Sequence, residues 1–130
     1  MKNLISVCLI LTISTSVAAL NCEDVLGSPL KTNNGTVYCM SKNRMNWWTA
    51  LGWCQTIGKR MFHYPDDCFC IGDTCPTTGT QCPNLKGLGG MIGIWSDTPK
   101  EASSAYAIAL NSGNFDGYAN RDFNHFALCY

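Results

Sequence analysis

The most regular hydrophobic pattern in the chain is helical. From Trp47 to Cys54, apolar residues recur at the i, i+3, i+4 and i+7 positions that share one face of a helix. Asn46 precedes this stripe and is a residue type that caps helix N-termini, whereas Gly58 follows it and suits a helix C-terminus. We therefore predict one amphipathic helix over residues 46–57, with Cys54 on its buried face.

An alternation typical of a β-strand follows in the second half of the chain. Over residues 105–110, Tyr, Ile and Leu alternate with alanine, so that the large side chains point to one face and the alanines to the other. Residues 111–113 (Asn-Ser-Gly) supply a hairpin turn, after which Phe115 begins the return strand. Residues 91–95 and 126–130 are further apolar runs of strand length.

The remaining segments are weakly patterned. Residues 36–40 and 59–62 are β-prone, residues 20–34 are rich in turn formers, and residues 64–90 are irregular and cysteine-rich. The order is thus strand, helix, irregular region and several antiparallel strands. This order predicts an α+β domain whose terminal segments pair with each other.

The start of the chain has the pattern of a secretory signal peptide. A positive charge precedes a short apolar run at residues 4–13, and Val17 and Ala19 are the small residues expected before a cleavage site. A membrane anchor needs about 20 apolar residues, and this run is shorter. We predict a signal peptide at residues 1–19, a single mature domain at residues 20–130, and a secreted, periplasmic or extracellular location.

Composition narrows the class of partner. The 130 residues suit one compact domain, and a hydrophobic content of 46% excludes a disordered chain. Nine basic and nine acidic side chains give a formal net charge of zero, so no basic excess favours a nucleic-acid partner. No later segment is long and apolar enough to predict a transmembrane helix.

The cysteine content indicates disulfides. The chain has nine cysteines, and removing Cys8 with the signal peptide leaves an even number, as expected of four disulfides in an exported domain. The cluster of Cys68, Cys70, Cys75 and Cys82 has irregular spacing for the alternative, a four-cysteine zinc site. We therefore expect no metal site and no cofactor.

Several motifs together resemble C-type lectin-like domains of the bacterial secreted type. Residues 48–54 (Trp-Thr-Ala-Leu-Gly-Trp-Cys) and Gly58 resemble the first helix of that family, and residues 127–129 (Ala-Leu-Cys) resemble its last strand. Residues 94–97 and 106–113 look like its core strands. The resemblance covers residues 36–130 and implies an α+β, disulfide-stabilised C-type lectin-like fold with small antiparallel sheets and one main helix.

The resemblance also implies disulfide pairs. In the family, the cysteine of the last strand bonds to the cysteine of the helix, which corresponds to Cys54–Cys129. Cys22–Cys39 would brace an N-terminal hairpin, as in long-form members. A large part of the stability of such a domain is expected to come from these bonds.

The other four cysteines allow two arrangements. A Cys68–Cys70 bond would strain the chain, since one residue separates them. The pairs are therefore 68–75 with 70–82, or 68–82 with 70–75, and the sequence does not choose between them.

The calcium-dependent sugar site of the family is absent. Its Glu-Pro-Asn, Gln-Pro-Asp and Trp-Asn-Asp triplets do not occur in the chain. Asp66, Asp67 and Asp73 could offer oxygen ligands to calcium, but we favour a solvated loop in which Asp66 or Asp67 caps a short helix.

A polar segment in the second half is the main candidate for ligand binding. Residues 114–124 are dense in amides and carboxylates that can bond hydroxyl groups, with Tyr118 and Phe123 as aromatic surface. The alternative is a polar loop of turn formers. The candidate residues are Asn114, Asp116, Tyr118, Asn120, Arg121 and Asp122, with Asp97 and Asn111 as second choices.

Tryptophan and histidine complete the candidate residues. The helical stripe and the family pattern predict core roles for Trp47 and Trp95, while the roles of Trp48 and Trp53 stay open. Neither of the two histidines lies in a nucleophile or metal motif, and oxidised cysteines supply no thiolate, so no enzyme is expected.

The sequence thus predicts a calcium-independent binding module. Its expected partner is a glycan or a protein on a surface. The alternative is a structural or assembly subunit of a cell-surface or envelope structure, without a small ligand.

Overall fold

The described residues form an α+β structure with one α-helix and a six-stranded sheet. The computed structural model describes residues 20–68, 81–90 and 92–130, without the side chains of residues 116–118. No helix within these ranges is long and apolar enough to cross a membrane. The elements are β1 (Gly27–Lys31), β2 (Val37–Met45), α1 (Trp47–Thr56), β3 (Gly93–Glu101), β4 (Ser104–Ala109), β5 (Phe115–Asn120) and β6 (His125–Cys129).

Helix α1 begins and ends where its sequence signals predict. The Asn46 side chain accepts a hydrogen bond from the Thr49 backbone N–H at 2.9 Å, which satisfies a donor that has no partner inside the helix. Gly58 follows the helix with φ +70°, a conformation that disfavours residues with a Cβ atom. Trp47, Ala50 and Cys54 lie on the buried face of the helix. The predicted helix is therefore confirmed.

The sheet differs from the small antiparallel sheets that were expected. It is one mixed sheet of strand order β1-β2-β6-β3-β4-β5, in which β3 and β6 are parallel and the other pairs are antiparallel. Strands β2 and β3 run in opposite directions, so a strand inserted between them must be parallel to one of the two. The pairing of terminal segments occurs between β2 and β6.

Several strand boundaries were predicted incompletely. β1 lies in the segment that showed only turn formers, and β2 and β3 extend beyond their apolar runs because polar residues continue the pairing. Residues 59–62 form no strand of their own. A single bridge joins Met61 to Cys129, flanked by backbone hydrogen bonds between Arg60 and Tyr130.

The two faces of the sheet carry separate buried clusters. Ala105 and Ala107 pack on the helix side with Trp47, Ala50 and Trp95. Ile108 and Leu110, from the same part of the chain, pack on the opposite side of the sheet. Their cluster also contains Tyr38, Phe62, Ile94 and Leu128. The predicted alternation is therefore confirmed, and the small alanine side chains let the helix approach the sheet closely.

Three disulfides link the described elements. Cys54–Cys129 joins α1 to β6, and Cys22–Cys39 joins the N-terminal segment to β2. These two are the pairs implied by the family resemblance. The third, Cys68–Cys82, belongs to the second of the two arrangements left open by the sequence. Cys70, Cys75 and Asp73 lie outside the described residues.

Candidate functional site

The candidate ligand residues fall into three separate regions. Asn111 and Asn114 lie at the turn that leads into β5, whereas Asn120, Arg121 and Asp122 lie at its far end. Asp97 is on β3. The backbones of Asp116 and Tyr118 belong to β5, but their side chains lie outside the described part of the structure.

The turn between β4 and β5 uses its polar groups mainly to shape the backbone. The Asn114 N–H donates to Ser112 Oγ at 3.1 Å, and the Asn114 carbonyl accepts from the Ala109 N–H at 2.8 Å. The Cys82 N–H donates to the Gly113 carbonyl at 2.7 Å and joins this turn to the cysteine-rich segment. Asn111 is exposed at the same turn. These bonds involve the backbone of Asn114, whereas its side-chain Oδ1 is buried with no hydrogen-bond partner among the described residues.

Asp97 pairs with a histidine. Its Oδ1 lies 2.6 Å from His63 Nδ1, and the other ring nitrogen of His63 lies 3.7 Å from Asp66 Oδ2. The Asp97 N–H donates to the Phe62 carbonyl at 2.8 Å, which places the two segments side by side. The pair joins the loop after residue 62 to β3, a contact that sequence reasoning did not find because His63 and Asp97 are distant in the chain.

The acidic loop contains an ion pair between the exposed Arg60 and the buried Asp67. Arg60 binds both carboxylate oxygens of Asp67, with 2.7 Å between Nη2 and Oδ1, and the His63 N–H donates to Asp67 Oδ2 at 2.7 Å. The hydrogen bond that the Arg60 guanidinium donates to Asp67 raises the pKa of Arg60. Asp67 is therefore not a solvated side chain as we had expected, because its charge is compensated by Arg60. Asp66 is exposed.

No metal site is formed by these carboxylates and their neighbours in the described ranges. No group of three or more His, Cys, Asp or Glu side chains is placed there to hold an ion. The other histidine, His125, packs its ring edge-on against Trp95, with 4.6 Å between ring centroids.

Three of the four tryptophans are anchored in the structure. Trp47 and Trp95 are buried, as expected, and Trp53 is half-buried. Each indole donates from Nε1 to a backbone carbonyl, a bond that satisfies the polar atom of a buried indole. The three bonds are Trp47 to Ser96 at 2.8 Å, Trp95 to Met45 at 2.8 Å and Trp53 to Val25 at 3.1 Å.

Trp48 is different, since 58% of its surface is exposed. Its position in the helix is one residue after Trp47, which turns it by about 100° away from the buried stripe. Its ring nevertheless has fixed neighbours. It meets the Trp47 ring edge-on with 4.7 Å between centroids, and the Arg121 guanidinium carbon lies 5.1 Å from the Trp48 centroid.

Arg121 connects the helix start to the turn after β5. Its guanidinium lies 4.3 Å from the Trp47 ring centroid, and Nη2 donates to the Glu101 carbonyl at 3.1 Å. Its own carbonyl accepts from the Trp47 N–H at 3.0 Å. Nε also donates to the Ser104 carbonyl at 3.4 Å. The arginine is thus held by aromatic stacking and hydrogen bonds, and it in turn fixes the position of Trp48.

Polar and aromatic groups flank this pair. Phe123 is 61% exposed and lies in the same turn as Arg121, and the Asn120 side chain shapes the turn by accepting from the Asp122 N–H at 3.1 Å. We call this region the Trp48–Arg121 surface. It consists of Trp48, Glu101, Asn120, Arg121, Asp122 and Phe123.

The Trp48–Arg121 surface has groups that are chemically suited to binding. It combines an exposed indole with amide, carboxylate and guanidinium groups, which are the residue types that contact sugar rings or anchor protein interfaces. It unites three of the eight candidate residues with Trp48, whose role the sequence left open. Trp48 directly follows Trp47, which lies on the buried face of the helix, and this position is the sequence signal that could have identified Trp48 as exposed.

Comparison with protein-family models gives no match for this chain, and comparison with curated proteins also gives none.

Proposed function

We propose that this protein is a secreted, calcium-independent C-type lectin-like module that binds a glycan or a protein on a surface. The motifs of its helix and last strand support the family assignment, together with the disulfide that joins these two elements. The α+β architecture with one main helix is consistent with it. The binding function rests on the Trp48–Arg121 surface.

The observation that carries this function is an exposed indole held in place. An exposed tryptophan leaves a large apolar area in water, and the neighbouring Trp47 ring and Arg121 guanidinium limit its motion. An immobilised side chain loses little further conformational freedom when a ligand binds, so more of the contact energy becomes affinity. Tryptophan and arginine are also the residue types most enriched at binding hot spots.

The test is binding of the mature chain to broad glycan and protein arrays in the presence of EDTA. We expect saturable binding that Trp48→Ala weakens by about tenfold or more, because stacking and apolar burial on the indole are lost. Calcium is expected to change neither the binding nor the melting temperature.

Tyr130→Ala provides a matched control. Tyr130 is 53% exposed and has an arginine guanidinium, that of Arg60, 5.3 Å from its ring centroid. It follows Cys129, which is bonded to the C-terminal half of α1, whereas Trp48 lies in the first turn of that helix. Binding lost equally in both variants, or absent from both arrays while the chain self-associates stably, would favour an assembly subunit instead.

A further inference from the structure

We infer that the ligand of the Trp48–Arg121 surface is an uncharged glycan, one of whose pyranose rings stacks on the exposed part of the Trp48 ring. This inference rests on the proposed function and names the chemical class of its ligand. It follows from the charge balance, the hydrogen bonds and ring contacts of Arg121, the neighbouring polar groups and the extent of the exposed apolar groups.

The first argument is the charge balance of the two chain segments that carry the charged residues of the surface. The surface contains Arg121, Glu101 and Asp122, and Lys100 directly precedes Glu101 in the chain, so that Lys100 is counted with it. Two positive and two negative side chains cancel. A surface of this kind does not attract a polyanion or a polycation over long range, because attraction of either requires an excess of the opposite charge.

The second argument is that Arg121 is already engaged. Nη2 and Nε donate to the carbonyls of Glu101 and Ser104, and the guanidinium lies against the rings of Trp47 and Trp48. An anionic ligand group would compete with these contacts, and two carboxylate residues lie in the same segments. A cationic group stacked on Trp48 would instead be repelled by the guanidinium, 5.1 Å from the centroid of that ring.

The third argument is the complement of polar groups. Asn120 at the end of β5 and Asp122 in the following turn are exposed. Two exposed neighbours extend this polar rim: Asn124 in the same segment, and Ser103, whose carbonyl accepts from the Arg121 N–H at 3.0 Å. Together they offer both donors and acceptors, which match hydroxyl groups that also donate and accept. The apolar C–H face of a pyranose fits an exposed indole, while its hydroxyl groups reach the surrounding polar residues.

The fourth argument is size, and it favours a glycan over a protein. A stable protein interface buries roughly 800 Å² on each partner around several apolar anchors. The large exposed apolar side chains described on the Trp48–Arg121 surface are Trp48 and Phe123. One or two aromatic side chains with a polar rim are sufficient for one or two sugar rings.

The experiment titrates the mature chain, in EDTA, with oligosaccharides of matched length and different charge. The neutral series are hexamers of N-acetylglucosamine, glucose, mannose and galactose. The cationic probe is a glucosamine hexamer and the anionic probe is a galacturonic acid hexamer. Isothermal calorimetry and tryptophan fluorescence are recorded at 50 and 500 mM NaCl for the natural chain, Trp48→Ala, Trp48→Phe and Tyr130→Ala.

We expect at least one neutral series to bind with an affinity that changes less than twofold between the two salt concentrations. Trp48→Ala should weaken that binding about tenfold or more, Trp48→Phe should retain part of it, and Tyr130→Ala should leave it unchanged. Equal melting temperatures of the variants would show that Trp48→Ala remains folded.

Three outcomes overturn the inference. One is binding restricted to a charged hexamer, or binding that falls steeply with salt. The second is neutral binding that Trp48→Ala does not weaken. The third is that no hexamer binds. If no hexamer binds but a protein on the protein array binds in a Trp48-dependent manner, the proposed function stands and only the inferred ligand class is wrong. If nothing binds on the glycan array or on the protein array, the inference and the proposed function both fail.

Discussion

At the residue scale, Tyr38 is a titratable side chain in the buried cluster on the face of the sheet opposite the helix. Tyr38 is almost fully buried, and its ring packs against Phe62 and Tyr130 with centroid distances of 5.7 and 5.3 Å. Burial is the main cause that raises the pKa of Tyr38 to about 12, and the negative charge of Asp67 adds to it. The phenol therefore remains protonated in the folded state at a pH where it ionises in the unfolded chain.

This shift predicts a loss of stability at alkaline pH. Below pH 10 the phenol is protonated in both states, and between pH 10 and about 12 only the unfolded state ionises, so the free energy of unfolding falls. The full contribution of Tyr38 to the free energy of unfolding is about 3 kcal/mol, because its pKa in the folded state, about 12, lies two units above the value of 10 in the unfolded chain. Urea unfolding at pH 9 and pH 11.5 should show a decrease that is about 2 kcal/mol smaller in Tyr38→Phe. An equal decrease in both proteins would contradict the assignment.

At the element scale, the junction between the first 3₁₀ turn and β1 is strained. The turn spans Glu23–Val25 and ends at Leu26, which has φ 58° and ψ 38° and is 64% exposed. Gly27 then passes directly against the Cys22–Cys39 disulfide, where a Cβ atom would lie 2.6 Å from Cys39 Sγ. The chain therefore has a glycine where space requires one, and a leucine where the backbone conformation favours glycine.

We predict that Leu26→Gly stabilises the fold. Relief of the left-handed conformation outweighs the greater freedom of glycine in the unfolded chain, which gives a net gain of about 0.5–1 kcal/mol in the free energy of unfolding. The measurement is chemical denaturation, and Val37→Gly on β2, also exposed but extended, is the control that should lose stability. A loss of stability in Leu26→Gly would show that the leucine side chain makes contacts that outweigh the backbone strain.

Local sequence signals predicted some elements well and others poorly. The limits of α1 follow from Asn46 and Gly58, and the faces of β4 follow from alternation within six residues, so both were predictable. β1 has no local pattern, because its position depends on pairing with β2 and on a disulfide. Of the candidate surface, the sequence predicted only the turn residues Asn120, Arg121 and Asp122. It could not predict that Trp48 lies beside them, because Arg121 and Trp48 are distant in the chain and meet only in the folded structure.

At the scale of the whole molecule, disulfides join segments that are distant in sequence. Cys54–Cys129 closes a separation of 75 residues, whereas Cys22–Cys39 closes one of 17. A cross-link over a longer loop removes more conformational entropy from the unfolded chain. The helix-to-β6 bond is therefore expected to be the more important of the two.

We predict that the double variant Cys54→Ala/Cys129→Ala loses about 1 kcal/mol more stability than Cys22→Ala/Cys39→Ala, from the ratio of the two loop lengths in the chain-entropy relation. Differential scanning calorimetry of the two double variants under oxidising conditions measures the difference. Equal losses, or a larger loss for the shorter loop, would mean that packing around Cys22–Cys39 dominates.

The central position of β6 has a consequence for the order of folding. β6 lies between β2 and β3, so the sheet remains in two unconnected parts until residues 125–129 have been synthesised. Until then, the backbone groups of β2 and β3 that pair with β6 have no partner strand, and Cys54 cannot form its disulfide with Cys129. Formation of the complete sheet must therefore wait until residue 129 has been made, and its contacts join residues far apart in sequence, which slows the process. A chain released by the ribosome before β6 is made is a substrate for proteases and chaperones rather than a smaller version of the domain.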